Sequence, residues 1–121
     1  MLRTMLLSKI HRAHVTMRDL DYVGSITIDQ NLLEASGMKR NEKVEIYNIS
    51  NGNRFATYIL AGEPGSGIIG INGAAARLVD LDDKVIIVTY GMLNEAEMID
   101  HKARVVIIED DKNLKYRTID R

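Results

Sequence analysis

Three residues of one short segment, NRFATY, could carry acid–base and carboxylate chemistry. Arg54 and Tyr58 are four residues apart, so on a β-strand they project from the same face. Thr57 projects from the other face unless the strand bends. An arginine can hold a carboxylate with two parallel hydrogen bonds, and a tyrosine hydroxyl can donate a proton. Taken alone, these residue types also serve in surface ion pairs and core packing, so both interpretations stay open.

A second candidate is the segment NGAAA, which runs from Asn72 to Ala76. Asn72 could cap a helical turn, and the small residues after it would leave backbone N–H groups uncovered for a carboxylate. Tight packing explains the small residues equally well. The glycine-rich loop GEPGSG (62–67) lacks the ending of a P-loop and the G-x-G-x-x-G spacing of a dinucleotide site, which indicates a strand connection.

Metal ligands and nucleophiles are sparse. The chain has three histidines and no cysteine, which removes thiolate nucleophiles and thiolate metal ligands. His11 and His14 would face opposite sides of a strand and could not easily share one ion, so no metal site is expected. The sequence V-G-S-I around Ser25 lacks the second glycine of a nucleophile elbow.

Gly24 and Ser25 interrupt the β-favouring stretch YVGSIT, which spans residues 22–27. A glycine in the middle of a strand weakens it. Such a glycine marks either a bulge or a place where another group comes very close to the backbone. The sequence leaves both explanations open.

Composition limits the class of protein. With 121 residues and 45% hydrophobic content, the chain can build a modest core, which association with further copies could complete. A formal charge of −1 provides no excess of Lys and Arg for nucleic acid or anionic lipid. No apolar run reaches the roughly 18 residues of a membrane helix or forms a signal-peptide core. We therefore expect a cytoplasmic protein with neither nucleic acid nor membrane as a partner.

Short strands should position the candidate residues. Alternation predicts strands over 2–9 and 10–17. The runs 43–50 and 53–60 should form a hairpin with a type I′ turn at Asn51-Gly52, since that pair tolerates the positive φ angles of this turn.

The other elements are brief. Asp29 should cap a short helix that ends at Gly37 in the left-handed conformation. Buried strands are predicted at 84–92 and 103–109, and the charged tail from Asp110 should be exposed. Many short strands with two brief helices predict a mainly β protein, a compact barrel that forms a single domain over the whole chain.

Four ordered stretches together resemble the bacterial aspartate 1-decarboxylases: MLRTMLLSKIHRAHVT at the start, then YVGSITID, NGNRFATY and INGAAARLV. Their order and spacing match that family from Met1 to about Glu109, and the resemblance fades in the charged tail. Four ordered motifs are far more specific than a lone glycine motif. The resemblance implies a small double-psi β-barrel that converts L-aspartate to β-alanine and CO₂ for pantothenate and coenzyme A synthesis.

The resemblance also implies how the cofactor arises. Losing CO₂ leaves a carbanion that no ordinary side chain can delocalise, and this family uses a pyruvoyl group made from its own serine instead of pyridoxal phosphate. Ser25 would attack the carbonyl of Gly24 and form an ester. β-Elimination would then cut the chain into residues 1–24 and 25–121, and the dehydroalanine would hydrolyse to a pyruvoyl group with release of ammonia. A glycine at position 24 would permit the strained backbone this attack requires.

By the same resemblance, the remaining site residues take several roles. Thr57 matches a threonine that assists processing and lies beside the substrate, and Tyr58 matches the proton donor to the carbanion. Lys9 and Arg54 match basic residues that hold substrate carboxylates. Gly73, Ala74 and Ala75 match backbone contacts to the substrate. Asn72, Tyr22 and His11 match residues that line or support the site.

Members of the family form homotetramers with active sites between subunits, and this chain is expected to do the same, with a separate maturation protein as a further candidate partner. One departure is Ile26, which follows Ser25 where some relatives carry cysteine.

The alternative function is that of a non-catalytic β-barrel that binds a ligand or DNA. Binding DNA would require a basic face that the balanced charge does not suggest, and the four motifs would stay unexplained.

Overall fold

The computed structural model describes residues 1–121 as nine β-strands, two short α-helices and one 3₁₀ helix. No helix is long and apolar enough to cross a membrane. The elements in chain order are β1 (Arg3–His14), β2 (Met17–Asp19), β3 (Ser25–Asp29), α1 (Gln30–Ser36), β4 (Lys43–Asn48), β5 (Arg54–Gly62), β6 (Ile69–Asn72), the 3₁₀ helix (Gly73–Leu78), β7 (Lys84–Leu93), α2 (Glu95–Met98), β8 (Arg104–Ile108) and β9 (Tyr116–Asp120).

All nine strands belong to one sheet, in the order β2-β6-β3-β5-β4-β7-β1-β8-β9. The sheet must curl, because the chain passes directly from β1, near one end, to β2 at the other. At this crossing Thr16 N donates to Ile69 O (2.9 Å), and Ile69 N donates to Thr16 Oγ1 (3.0 Å). The predicted class, a mainly β protein of small-barrel type with a few short helices, is confirmed. Its double-psi connectivity stays a prediction.

The core consists largely of β-branched side chains at the inward-facing strand positions. Ile10, Ile87 and Ile46 are fully buried and directly paired across the neighbouring strands β1, β7 and β4. Ile26 and Ile71 form an equivalent buried pair between β3 and β6. Such side chains suit a pleated surface because their rotamers are already restricted. One hydrophobic cluster joins both parts of the curled sheet.

Strand β1 is one continuous strand, so the two strands predicted over 2–9 and 10–17 are wrong. Its pairing with β7 continues through two irregularities, one between Leu6 and Ser8 and one near Arg12, which has φ 66°. Such bulges bend a strand and increase its twist without ending it. Alternation in the sequence cannot distinguish a bulge from a break.

The predicted hairpin between β4 and β5 is confirmed, but its type I′ turn is wrong. Only Gly52 has a positive φ (81°), whereas a type I′ turn also requires a positive φ at Asn51. Gly52 N donates to Asn48 O (2.8 Å), so the connecting loop is longer than predicted. The longer loop shifts the cross-strand partner of Arg54 by two residues, to Tyr47.

Helix α1 has both predicted caps. Asp29 Oδ1 accepts a hydrogen bond from Asn31 N (2.8 Å), and Gly37 ends the helix with φ 80°. The buried Asp29 carboxylate also accepts bonds from Gly65 N (3.0 Å) and Gly67 N (2.8 Å). One side chain therefore caps the helix and holds the GEPGSG loop, which is a strand connection as predicted.

The charged tail contains a strand that was not predicted. Residues 116–120 form β9, which pairs with β8. Asn113 is buried; its Oδ1 accepts from His14 N (2.8 Å), and its Nδ2 donates to His14 O (2.8 Å) and Gly67 O (2.9 Å). These bonds attach the tail to β1, although most of its side chains are exposed as predicted.

Replacing Asp29 with alanine should lower the free energy of unfolding by about 2–4 kcal/mol, because one change removes a helix cap and two loop bonds to a buried carboxylate. Urea denaturation followed by circular dichroism measures the loss. The control is Asp80→Ala, which removes a carboxylate that is 82% exposed and paired only with Arg18. That change should cost less than about 1 kcal/mol. Equal losses in both variants would contradict the assigned role of Asp29.

Candidate active site

Ser25 is fully buried at the start of β3. Its Oγ accepts a hydrogen bond from Asn72 Nδ2 (3.0 Å) and donates to the backbone oxygen of Val23 (3.3 Å). Asn72 is also the direct cross-strand partner of Ser25 in β6. The hydroxyl is thus held from two directions beside the Gly24 peptide.

Gly24 does not have the left-handed backbone that only a glycine adopts readily. Its φ is not positive, and a Cβ added there would meet nothing within 4 Å. It is not a strand bulge either, because β3 begins only at Ser25. The bulge explanation is therefore wrong, whereas the expected close approach of another group to this backbone is confirmed.

The close approach occurs at Gly73, which faces the same segment. Gly73 has φ 71°, and a Cβ there would lie 2.6 Å from Gly24 Cα and 3.2 Å from Tyr22 O. Any side chain at position 73 would overlap this backbone. Gly73 therefore permits residues 22–24 to pack against the start of the 3₁₀ helix, while the Tyr22 side chain remains 54% exposed.

Asn72 does not cap the 3₁₀ helix with its side chain, so that prediction is wrong, although the helical turn itself is present. Its Nδ2 is instead shared by Ser25 Oγ and Thr27 Oγ1 (3.2 Å), and its buried Oδ1 has no hydrogen-bond partner. A buried acceptor without a partner is costly and is usually explained by strain or by a functional role. Ala74 is exposed and Ala75 is half-buried just beyond it.

Strand β5 presents its residues as the sequence predicted. Arg54 and Tyr58 lie on the exposed face, and Thr57 lies half-buried on the opposite face. The parallel register pairs Ile26 with Ile59, which brings Ser25 alongside Tyr58 one residue earlier. Tyr58 thus belongs to the same neighbourhood as the buried serine.

Lys9 lies on a strand that is not adjacent to β5. It pairs with Val88, which pairs with Glu45, which pairs with Ala56 between Arg54 and Tyr58. Directly paired residues share a face, so Lys9 projects from the same outer face as Arg54. Three interstrand spacings separate the backbones of β1 and β5, roughly 14 Å along the sheet. Lys9 and Arg54 are therefore not cross-strand neighbours within one chain.

His11 follows Lys9 closely on β1 and pairs with Ile107 of β8. Burial, then the positive charges of Lys9 and Arg12, hold its pKa below the usual 6.5, so the imidazole is neutral at pH 7. Its buried Nδ1 has no hydrogen-bond partner. No group of three or more His, Cys, Asp or Glu side chains is arranged to hold a metal ion.

An aromatic pair beside Arg54 was missed by the sequence analysis. The Arg54 guanidinium carbon lies 4.3 Å from the centre of the Tyr47 ring, and the Tyr47 hydroxyl lies 3.1 Å from the Tyr90 hydroxyl. The Tyr90 hydrogen bond and then burial raise the pKa of Tyr47 to about 12. The correct hairpin register would have indicated the contact, since it pairs Tyr47 with Arg54.

Comparisons with known proteins agree on one family. The family described as aspartate decarboxylase matches residues 1–115. An aspartate 1-decarboxylase from Staphylococcus epidermidis is 54% identical over 114 residues, covering 94% of this chain and 89% of the relative. The enzyme of the same name from Caldicellulosiruptor bescii is 54% identical over 107 residues (88% and 84%), and that from Ralstonia nicotianae is 50% identical over 115 residues (95% and 96%). The chain belongs to the aspartate decarboxylase family.

Replacing Gly73 with alanine should lower the free energy of unfolding by about 2–5 kcal/mol, because a left-handed backbone and an overlap with Gly24 act together. The matched control is Gly52→Ala, which shares the positive φ (81°) but has nothing within 4 Å. It should lose only about 1–2 kcal/mol. Urea denaturation of both variants makes the comparison. Equal losses would mean that the approach of residues 22–24 to Gly73 has no energetic effect.

Removing one hydroxyl should shift the titration of the aromatic pair. In Tyr90→Phe, the pKa of Tyr47 should fall from about 12 toward its ordinary 10.0, because the largest cause of the rise is lost. Between these two pH values Tyr47 would then ionise in the variant and stay protonated in the wild type. Ultraviolet absorbance of tyrosinate follows the change, with Tyr47→Phe identifying the signal. An unchanged titration would contradict the assigned hydrogen bond.

Proposed function

We propose that this chain is a pyruvoyl-dependent aspartate decarboxylase that cleaves itself between Gly24 and Ser25 and then converts L-aspartate to β-alanine and CO₂. The observation that carries the proposal is the buried Ser25 hydroxyl, bonded to Asn72 and to the carbonyl two residues upstream, in a chain of the aspartate decarboxylase family. A buried hydroxyl with that pair of bonds has no evident part in the hydrophobic core.

Self-cleavage would begin with the Ser25 hydroxyl. The oxygen attacks the Gly24 carbonyl carbon, the C–N bond breaks, and the hydroxyl proton passes to the released nitrogen, which leaves an ester. Loss of the Ser25 α-proton then expels the Gly24 carboxylate, and water converts the dehydroalanine to a pyruvoyl group and ammonia. We assign Thr57, which follows Arg54 and precedes Tyr58 on β5, to assist this processing. The chain would then consist of residues 1–24 and 25–121, still folded as one domain.

Asn72 is well suited to orient the attack. Its Nδ2 donates to the attacking oxygen, and this bond keeps the hydroxyl near the Gly24 peptide. The free Oδ1 can accept a hydrogen bond from the substrate, or from a segment that rearranges after cleavage. This fit between the asparagine and the serine supports a cofactor made from position 25. We propose that this cofactor takes the place of both pyridoxal phosphate and a metal.

Arg54 is the proposed ligand for a substrate carboxylate. Its guanidinium makes no ion pair within the chain, so its donors are available for a bidentate contact. Backbone groups of Gly73, Ala74 and Ala75 would contribute further contacts, and Asn72 would line the same pocket. These groups suit a substrate with two carboxylates.

Lys9 would reach the substrate from a second copy of the chain. Its separation from β5 within one chain, together with its position on the same outer face as Arg54, favours a site assembled between subunits. We therefore propose a homotetramer with active sites at its interfaces. His11 and Tyr22 would support these sites, and the exposed Tyr22–Val23 segment is accessible to a maturation protein.

When present, the pyruvoyl group supplies a carbonyl through which the electron pair left by CO₂ is delocalised. Tyr58 is the proposed proton donor to the resulting carbanion, because its hydroxyl lies on the exposed strand face alongside position 25. The product β-alanine would supply pantothenate and coenzyme A synthesis. We propose that the enzyme acts in the cytoplasm, in keeping with a sequence that contains no cysteine.

Intact-mass spectrometry of the purified protein tests the proposal. We expect two fragments, residues 1–24 and 25–121, with the larger one lighter than its serine-initiated form by the mass of one ammonia. Aspartate decarboxylation should follow without added pyridoxal phosphate. Ser25→Ala should stay whole and lose activity by at least about 10³-fold, since no other group supplies the carbonyl.

The matched control is Ser36→Ala, another buried serine, whose hydroxyl donates to the Leu33 carbonyl and accepts from Met38 N at the end of α1. This variant should cleave and decarboxylate like the wild type. Two results would refute the proposed function. One is a folded wild-type chain that stays whole, and the other is a Ser25→Ala variant with normal activity.

A further inference from the structure

Arg54 lies at the exposed start of β5, where a long flexible side chain would sample many rotamers. No carboxylate of the chain restrains its guanidinium. The restraint comes from the Tyr47 ring, whose centre is 4.3 Å from the guanidinium carbon. Cations are attracted to the faces of aromatic rings, and a guanidinium contacted through its face keeps its N–H edges available.

The Tyr47 ring is itself held from its far end. Its hydroxyl bonds to the Tyr90 hydroxyl at 3.1 Å, so the three side chains connect the neighbouring strands β5, β4 and β7 on one face of the sheet. Because the pKa of Tyr47 is raised from 10.0 to about 12, its phenol stays neutral even above pH 10. Tyr90 thereby fixes the direction of a ring that would otherwise rotate freely at a partly exposed position.

A competing carboxylate lies close by. Glu45 pairs with Ala56, which makes it a diagonal neighbour of Arg54 on the same face. Diagonal neighbours are roughly 7–8 Å apart at the backbone, within reach of long side chains. Glu45 nevertheless forms no ion pair with Arg54. The guanidinium lies over the Tyr47 ring instead.

We infer that Tyr47 and Tyr90 are positioning residues for substrate binding: Tyr47 orders the Arg54 guanidinium and keeps it from Glu45, and Tyr90 orders Tyr47. The inference rests on the proposed function, in which Arg54 binds a substrate carboxylate, and it assigns Arg54 to the carboxylate that stays on the substrate. Arg54 contacts that carboxylate in the ground state and in the transition state alike. A less ordered Arg54 guanidinium should therefore raise KM more than it lowers kcat.

Steady-state kinetics with aspartate, on the cleaved full-length protein, test this inference. Tyr47→Leu should raise KM by about two- to fivefold, from the typical strength of an exposed cation–π contact, with kcat within about twofold. Tyr47→Phe keeps the ring but loses the bond to Tyr90, so it should raise KM only by the smaller factor expected for Tyr90→Phe. Tyr90→Phe should raise KM by a smaller factor and add nothing in the Tyr47→Leu background.

Two further variants separate positioning from a general structural effect. In the Tyr47→Leu background, Glu45→Gln should restore part of the lost affinity, because Arg54 then has no internal carboxylate to bind. In an Arg54→Gln background, Tyr47→Leu should cause no further rise in KM. Met92→Leu, an exposed change on the same strand as Tyr90, is the control and should leave both constants unchanged.

The inference is overturned if Tyr47→Leu leaves KM unchanged, if it lowers kcat alone, or if Tyr47→Phe is as harmful as Tyr47→Leu. If Tyr47→Leu does not fold, Tyr90→Phe decides, because it removes one exposed hydroxyl and an unchanged KM would contradict the role of the pair. Failure of the proposed function gives a different result: a wild-type protein that is neither cleaved nor active on aspartate.

Discussion

Strand β3 lies between two partners, parallel to β5 on one side and antiparallel to β6 on the other. This double pairing sets the first residue of the strand, Ser25, opposite Asn72 and alongside Tyr58. Backbone ladders on both sides prevent a slip, since a one-residue shift would turn the buried Ile26 out of the core. The same hydrogen bonds that complete the core therefore hold the candidate nucleophile beside its neighbours.

The region around Ser25 departs from the rules that the rest of the core follows. Elsewhere the buried positions are mainly apolar and the buried polar groups are paired, as Asp29 and Asn113 show. Asn72 Oδ1 instead remains buried without a partner; the other such side-chain atom, His11 Nδ1, belongs to β1 and not to this region. Unsatisfied groups of this kind persist in folded proteins where function requires them.

On the outer face of the sheet, the register between neighbouring strands decides which side chains contact each other. Strand alternation correctly predicted that Arg54 and Tyr58 share a face. The stacking of Arg54 on Tyr47 depends on the hairpin loop, whose length sets the cross-strand pairs. A turn assigned from the Asn51-Gly52 pair moves the register by two residues and hides the contact. At Gly24, the sequence indicated that another group comes close to the backbone. It did not indicate that Gly73 is the residue that permits this approach.

Local chemistry is what the amino-acid sequence determined by itself: the strand-rich class, the caps of α1 at Asp29 and Gly37, the faces of β5, and four motifs that identify the family. These properties depend on residues within a few positions of one another, where side-chain type constrains the backbone directly. Only the tertiary structure decided that Gly73 faces Gly24, that Asn72 bonds to Ser25 and not to its own helix, and that two other strands lie between the strands of Lys9 and Arg54. Those arrangements arise from pairing between strands distant in the chain, which is selected by the packing of the whole core.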